Sequence, residues 1–325
     1  MSEKKTIRGS QISARDLRLY TGLVIAVFIT SHLINHALGL ISINAMENYR
    51  KAHGAIWQSP PGVVALYGSI IIHFLLALYA LYKRSHLRLR LSTAIQLAFG
   101  LMVPLLLIEH VIGSRLIPFL FDFEATYFYS LSFLWLNDAN FWKQTALIFI
   151  VWTHLCVGLH FWLRVKSFFE KYESLFYSVA TVIPLLGWLG FIQAGKLIEP
   201  MAASPGWLQS VRIGLEQAPQ SEVNKVLDFI PISFGIFVAI LASVFIARFL
   251  RRLYRNRLGV VQIRYVHGKT ISGPVGQTIL EFIQTAGIPH ASVCGGRGRC
   301  TTCRVQVTEG LTNLDTASEL EAGAL

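Results

Sequence analysis

Six apolar stretches dominate this chain and leave it few ways to fold. They run at roughly residues 18–41, 62–82, 92–113, 143–163, 174–195 and 229–247, and each reaches the ~20 residues that a bilayer crossing takes. Hydrocarbon offers the backbone no water, so an apolar segment of this length must satisfy its own N–H and C=O groups as a helix. Composition agrees: 53% of the 325 positions are hydrophobic and 14% are charged, where ordinary soluble domains carry about 25% charged residues. Met1–Arg18 is polar and no small-residue cleavage site follows the first apolar run, so the N-terminus does not read as a signal peptide.

The formal net charge is +11, but it follows the spans rather than a nucleic-acid footprint. Lys and Arg gather at Lys4–Arg18, Lys83–Arg90, Arg164–Lys171 and Arg248–Arg257, at alternate ends of the six stretches. The other loops, 42–61, 114–142 and 196–228, hold acids such as Asp122, Glu124, Asp138, Glu216 and Glu222. The positive-inside rule then predicts that both termini face the cytoplasm, with a secondary attraction of the basic loops to anionic lipid. Nucleic acid is not an expected partner. Loops 114–142 and 196–228 are long enough for interfacial helices.

Ionisable residues inside a membrane are costly and mark function by default. The first four spans each hold at least one histidine, namely His32 and His36, His73, His110, then His154 and His160, whereas spans five and six hold none. Helix rise converts position into height. His73 and His154 both come out about 14 Å from the cytoplasmic end, and His36 and His110 both about 27 Å. Histidines paired by height across two helices suit bis-histidine ligation of haem. Gly39, Gly113 and Gly158 follow their histidines by three or four residues, on the same face, where a porphyrin needs room. His32, one turn from His36 at roughly 21 Å, is an alternative ligand. His160 lies on another face beside Trp162 and Arg164, and reads as a contact for a haem propionate or a quinone head group. Asn35 and Glu109 neighbour ligand candidates and could orient them, serve a quinone pocket or, for Glu109, simply be solvated.

Beyond Arg257 the pattern changes. Val260–Val266 alternates as a strand does, His267-Gly-Lys reads as a turn, Thr270–Ser272 as a returning strand and Gln277–Ala286 as a helix. Then comes Ser292-Val-Cys-Gly-Gly-Arg-Gly-Arg-Cys-Thr-Thr-Cys-Arg-Val305. Cys294, Cys300 and Cys303 in this Cys-x5-Cys-x2-Cys run read as ligands of a [2Fe-2S] cluster, with glycines that let backbone N–H groups turn toward its sulfurs. Zinc is the alternative, but its ligands usually come as close pairs without a glycine-rich wrap. Cys156 stands alone in the fourth span and reads as a packing residue. A [2Fe-2S] centre takes four ligands, and no cysteine or histidine follows Cys303; the expectation is a longer parent protein.

Ser31-His-Leu-Ile-Asn-His-Ala-Leu-Gly39, Leu66-Tyr-Gly-Ser-Ile-Ile-Ile-His73, Glu109-His-Val-Ile-Gly113 and Gly158-Leu-His-Phe-Trp-Leu-Arg164 resemble the cytochrome b-type membrane anchor of bacterial class III adenylate cyclases. In that family, six spans related to succinate dehydrogenase and fumarate reductase anchors precede a ferredoxin-like [2Fe-2S] domain and a cytoplasmic cyclase domain. With Cys294–Cys303 included, the resemblance covers nearly the whole chain. It implies an all-α six-span transmembrane helical bundle followed by a partial α+β β-grasp ferredoxin-like domain. The corresponding segments are 1–17 (cytoplasmic), 18–247 (six-helix cytochrome b-like domain), 248–258 (basic linker) and 259–325 (ferredoxin-like, truncated). It also implies b-type haem, about two per chain, on His36, His73, His110 and His154, quinone as redox partner and a bacterial cytoplasmic membrane. Further expected partners are the lipid bilayer, a cyclase domain beyond Leu325 and, as an option, a second copy in a homodimer. The chain itself has no cyclase domain, so no catalytic residue is assigned. Three functions compete: the redox- and quinone-sensing part of an adenylate cyclase, an electron-transfer subunit of a quinone-linked oxidoreductase, and a transporter or structural anchor without haem.

Overall fold

The structure is a computed structural model that describes residues 13–265, 268–293, 295–296, 301–317 and 319–322. Its helices begin where the sequence supplies start signals. Helix α1 (Ala14–Ala37) is capped by Ser13, whose hydroxyl accepts from the Asp16 backbone N–H. Ser42 does the same for α2 (Ile43–Trp57) by accepting from Ala45. Helix α3 (Pro60–Lys83) opens on a proline, whose missing N–H costs nothing in a first turn. Helix α4 (Leu91–Val111) runs into a π-helical turn, Ile112–Leu116, and then α5 (Ile117–Leu120). Thr126 caps α6 (Tyr127–Leu134). There follow α7 (Asp138–Leu163), α8 (Phe169–Ala202), α9 (Trp207–Val211), α10 (Ile213–Glu216) and α11 (Gln220–Leu258).

Among the described residues, six helical segments, Ala14–Leu40, Pro60–Lys83, Leu91–Leu120, Asp138–Leu163, Phe169–Ala202 and Gln220–Leu258, are long and apolar enough to cross a membrane, so this is a multi-pass membrane protein. Helix α2 occupies the 42–61 connection; hydropathy passes over it because Asn44, Glu47, Asn48, Arg50 and Lys51 break the apolar run. The basic stretch 248–258 is helical too, as the end of α11.

The chain folds as two compact units. One gathers residues up to Leu81, Leu105–Trp152 and Thr181–Gly235; the other gathers Tyr82–Pro104, Thr153–Ala180 and Ile236–Leu325. The first has its core where α2, α6 and α8 meet, with Ile43, Met46, Tyr127, Leu131, Phe191, Ala194 and Ile198 buried together. Backbones touch where α1 ends: a Cβ on Gly39 would lie 2.2 Å from the Gly190 carbonyl oxygen, and one on Gly190 would lie 2.0 Å from that of His36. Gly39 therefore serves a helix contact with α8, not the porphyrin clearance its spacing from His36 suggests.

In the second unit, strands β1 (Val260–Arg264) and β2 (Thr270–Pro274) pair antiparallel, Val260 opposite Pro274 and Arg264 opposite Thr270. The Tyr265 N–H donates to the Lys269 carbonyl at 2.7 Å, and Gly268 sits at φ 80°, as a tight turn requires. His267 of that turn lies outside the described residues. Helix α12 (Ile279–Thr285) starts in a capping box in which Thr278 and Glu281 exchange hydrogen bonds. Ile271, Phe282 and Ile283 make a small buried core. A short helix, α13 (Glu319–Ala322), follows. Among the described residues the sheet has two strands.

Candidate functional site

In the first unit, helical spacing stacks Phe28, His32 and His36 along one face of α1. Phe28 lies parallel to His32 at 5.6 Å between ring centroids, and His32 meets His36 edge-on at 4.8 Å. His110 of α4 adds its ring 6.1 Å from His32, and His53 of α2 adds a fourth imidazole at 6.2 Å. His36 is buried, with its Nε2 3.3 Å from His32 Nε2 and its Nδ1 without a hydrogen-bond partner among the described residues. Adjacent Asn35 is also buried, and its Oδ1 likewise meets no donor among them.

Proton positions follow from what each neighbour can accept. His110 Nδ1 lies 3.1 Å from Gln144 Oε1 and donates to it. The Ser31 hydroxyl donates to main-chain carbonyls at 2.9 Å, so His53 Nε2, 3.0 Å away, donates to Ser31. That proton removes His53 Nε2 from consideration as a ligand atom, and burial holds the His53 imidazole below its ordinary pKa. His53 is not legible in the sequence as part of this group; its only signal is the aromatic spacing Tyr49, His53, Trp57 along α2.

His73, in the same unit, is held differently. Its Nδ1 donates to the Arg18 carbonyl at 3.0 Å, and Gly22 lies against the ring, where an added Cβ would come 3.1 Å from Cε1. His154, in the second unit, repeats the arrangement: Nδ1 donates to the Gln96 carbonyl at 2.9 Å, and a Cβ on Gly100 would come 2.6 Å from Cε1. Gln96 and Gln144 are polar residues inside apolar spans, and that contrast is the signal by which the sequence marks them. Gly113 has open space where a side chain would be. Glu109 accepts from Lys143 Nζ at 2.5 Å, which makes it half of an ion pair rather than a partner for a ligand.

His160 is ringed by Phe161, Phe169, Phe176 and Tyr177, with Tyr177 near parallel at 6.2 Å. Its buried Nδ1 has no hydrogen-bond partner among the described residues. The Arg164 guanidinium sits over the Phe161 ring, 5.1 Å from its centroid.

Of the cysteine run, Cys294 and Cys300 lie outside the described residues, while Cys303 is half-buried. His290 Nε2 donates to the Cys303 carbonyl at 3.4 Å, which leaves His290 Nδ1 to accept from the Tyr265 hydroxyl at 3.1 Å. The Val293 N–H donates to Thr302 Oγ1 at 3.1 Å, so the two flanks of the run meet. Gly295 and Gly296 take φ of 68° and 74°, the left-handed turn in which successive N–H groups can face an anionic centre. A cluster with bridging sulfide and thiolate ligands fits such a loop.

A family model for the 2Fe-2S iron–sulfur cluster binding domain matches residues 264–325. The 2Fe-2S ferredoxin-5 of Aquifex aeolicus (strain VF5) is 40% identical over 42 residues, 13% of this chain and 44% of that protein. The 2Fe-2S ferredoxin of Haemophilus influenzae (strain ATCC 51907 / DSM 11121 / KW20 / Rd) is 34% identical over 58 residues, 18% of this chain and 51% of that protein. The F component of the Na(+)-translocating NADH-quinone reductase of Marinomonas sp. (strain MWYL1) is 36% identical over 76 residues, 23% of this chain and 18% of that protein. The chain thus spans about half or less of the curated relatives it matches. No solved structure matches it. The region after the last membrane-length helix is a 2Fe-2S ferredoxin domain, and the chain carries an electron-transfer module.

Proposed function

We propose that this chain is a membrane redox module with b-type haem on its membrane histidines and a [2Fe-2S] cluster on Cys294, Cys300 and Cys303, serving as the redox- and quinone-sensing N-terminal part of an adenylate cyclase. One observation carries the haem reading: His73, His110 and His154 each donate Nδ1–H to a neighbouring oxygen, at 3.0, 3.1 and 2.9 Å. A neutral imidazole so bonded keeps Nε2 unprotonated, the tautomer and second-shell contact of a metal-ligating histidine. Haem held there would supply reversible one-electron iron chemistry.

His73, His154, His110 and His36, or His32 in place of His36, would hold the haem. The buried Nδ1 of His160 and its aromatic ring of neighbours suit a haem propionate or a quinone head group. The proposed domains are residues 1–17, 18–247, 248–258 and 259–325, in a bacterial cytoplasmic membrane with both termini inside, followed by a cyclase domain. The similarity to a NADH-quinone reductase component over 76 residues supports a second reading, an electron-transfer subunit of a quinone-linked oxidoreductase.

An absorption spectrum of the purified chain with a pyridine–haem assay tests the proposal. Low-spin, six-coordinate b-type haem at about two equivalents per chain is expected. A colourless membrane domain would overturn it and leave the reading of a transporter or anchor without haem. The reading frame beyond Leu325 separates the two redox readings: a nucleotide cyclase domain supports the first.

A further inference from the structure

The basic connection between α3 and α4 has a second task besides fixing topology. It belongs to the same compact unit as the ferredoxin domain. Arg248 and Arg251 of α11 both donate to the Arg84 carbonyl, at 2.7 and 3.1 Å, and the Arg251 guanidinium lies over the Tyr82 ring at 4.4 Å. So held, the connection offers its next side chains to α12. His86 Nε2 donates to Gln284 Oε1 at 3.2 Å, and Arg88 donates to the Thr285 carbonyl at 2.7 Å. Thr285 ends its helix, so its carbonyl has no intrahelical donor and needs one from outside. A third contact reaches the cysteine run: Arg164, one residue past the end of α7, donates to the Val293 carbonyl at 2.7 Å. Val293 directly precedes Cys294 in the sequence.

From this geometry we propose that His86, Arg88 and Arg164 form a dock for the chain's own ferredoxin domain. Arg164 is the positioning residue that fixes Val293, the residue before Cys294, against the helix carrying His154 and His160. Two of the three donors are guanidinium groups, and charged donors make the stronger hydrogen bonds. All three bonds go to the segment from the end of α12 to the start of the cysteine run, the part of the domain where orientation matters for electron transfer. The use of the dock in electron transfer rests on the redox module proposed above; the dock itself does not.

Hydrogen–deuterium exchange on the whole chain in lipid nanodiscs tests this with or without bound cofactors. Arg164→Leu combined with Arg88→Leu should speed amide exchange across residues 284–296 by about tenfold or more, the effect of losing one or two charge-assisted hydrogen bonds. Exchange in α4 should stay at the wild-type rate, which shows that the membrane domain has folded. Arg164→Lys should recover most of the protection around Val293, because a single donor suffices for a single carbonyl. Unchanged exchange over 284–296 in the double variant would overturn the dock. So would unchanged exchange accompanied by weaker binding to vesicles containing anionic lipid, since the arginines would then serve head groups. Absence of haem from the wild-type chain would sink the function proposed above while leaving this exchange result to be read on its own.

Discussion

His154 and His36 sit in helices of similar apolar character, yet the chain holds them by different means. His154 has one main-chain acceptor for Nδ1, the Gln96 side-chain amide 3.5 Å from Nε2 and a glycine against its ring. His36 shares its surroundings with His32, His53 and His110, and its buried Nδ1 meets no partner among the described residues. A main-chain acceptor cannot be lost by a side-chain substitution, so the His154 arrangement fixes one tautomer and one ring position. A cluster of imidazoles can redistribute protons and roles among its members. His73 belongs with His154 in this respect, since the Arg18 carbonyl plays the part of the Gln96 carbonyl.

The contrast is broken most severely at the ligands themselves. His73→Ala or His154→Ala should remove one whole haem equivalent, read by the pyridine–haem assay, and leave the other in place. Retention of full haem in both variants would refute His73 and His154 as ligands. Within the cluster, only one of His32→Ala and His36→Ala should cost the second haem, and the partner that remains should keep its spectrum. Next in size come the glycines. Gly100→Ala sets a Cβ 2.6 Å from His154 Cε1, closer than real contacts allow, whereas Gly22→Ala sets one 3.1 Å from His73 Cε1, where a small shift suffices. The first should lose most of the haem that His154 would hold, with the ligand itself intact, and the second only part of the haem that His73 would hold.

Glutamines sharpen the same comparison. Gln144→Leu removes the side-chain acceptor of His110 and should weaken haem retention there roughly 10- to 100-fold, the usual cost of a missing second-shell partner. Gln96→Leu leaves the carbonyl that His154 Nδ1 uses and removes only the side-chain amide 3.5 Å from His154 Nε2, the atom that would bind iron, so its haem should dissociate no faster than in the wild type. Haem transfer to an apoglobin measures both rates. Equal losses in the two variants would mean that main-chain and side-chain acceptors are not distinguishable here.

How much of this the residues disclose depends on the kind of signal. Span positions follow from hydropathy, because hydrocarbon tolerates few charged residues, and the six segments coincide with six membrane-length helices. The turn and capping residues around 268–281 likewise announce the hairpin and α12, through local chemistry that needs no partner. What stays hidden is pairing over long sequence distance. Nothing in the neighbourhood of Gly39 tells that it meets Gly190, or that Gly22 and Gly100 are the glycines facing imidazoles. His53 escapes because it lies on a helix with too many polar residues to register as apolar, and it joins the cluster only through packing of α2 on α1. Cys294 and Cys300 remain where the sequence motif and the family match speak for them.

The smallest expected effect concerns the acidic edge of the cluster's surroundings. The Tyr127 ring meets His36 edge-on at 5.9 Å, and the Tyr127 backbone N–H donates to Glu47 at the start of α6. Glu47 accepts from Arg50 at 2.7 Å, and Arg50 also donates to Glu124 at 2.5 Å. The hydrogen bond from Arg50, and then its charge, hold the Glu124 carboxyl below its ordinary pKa. A carboxyl depressed in the folded state contributes stability that is complete above its unfolded pKa, near ~4.3, and is lost as pH falls through the lower folded value. The Glu124 side chain is 62% exposed, so solvent screens the pair and its contribution should stay below about 1 kcal/mol. Thermal unfolding followed by tryptophan fluorescence should therefore show Glu124→Gln slightly less stable than wild type near neutral pH. The gap should close as pH drops from about 5 to about 3, and should narrow in concentrated salt. A gap that widens on acidification would mean that the Arg50 pair does not depress Glu124, and that the link from Glu47 through Tyr127 to His36 stands without it.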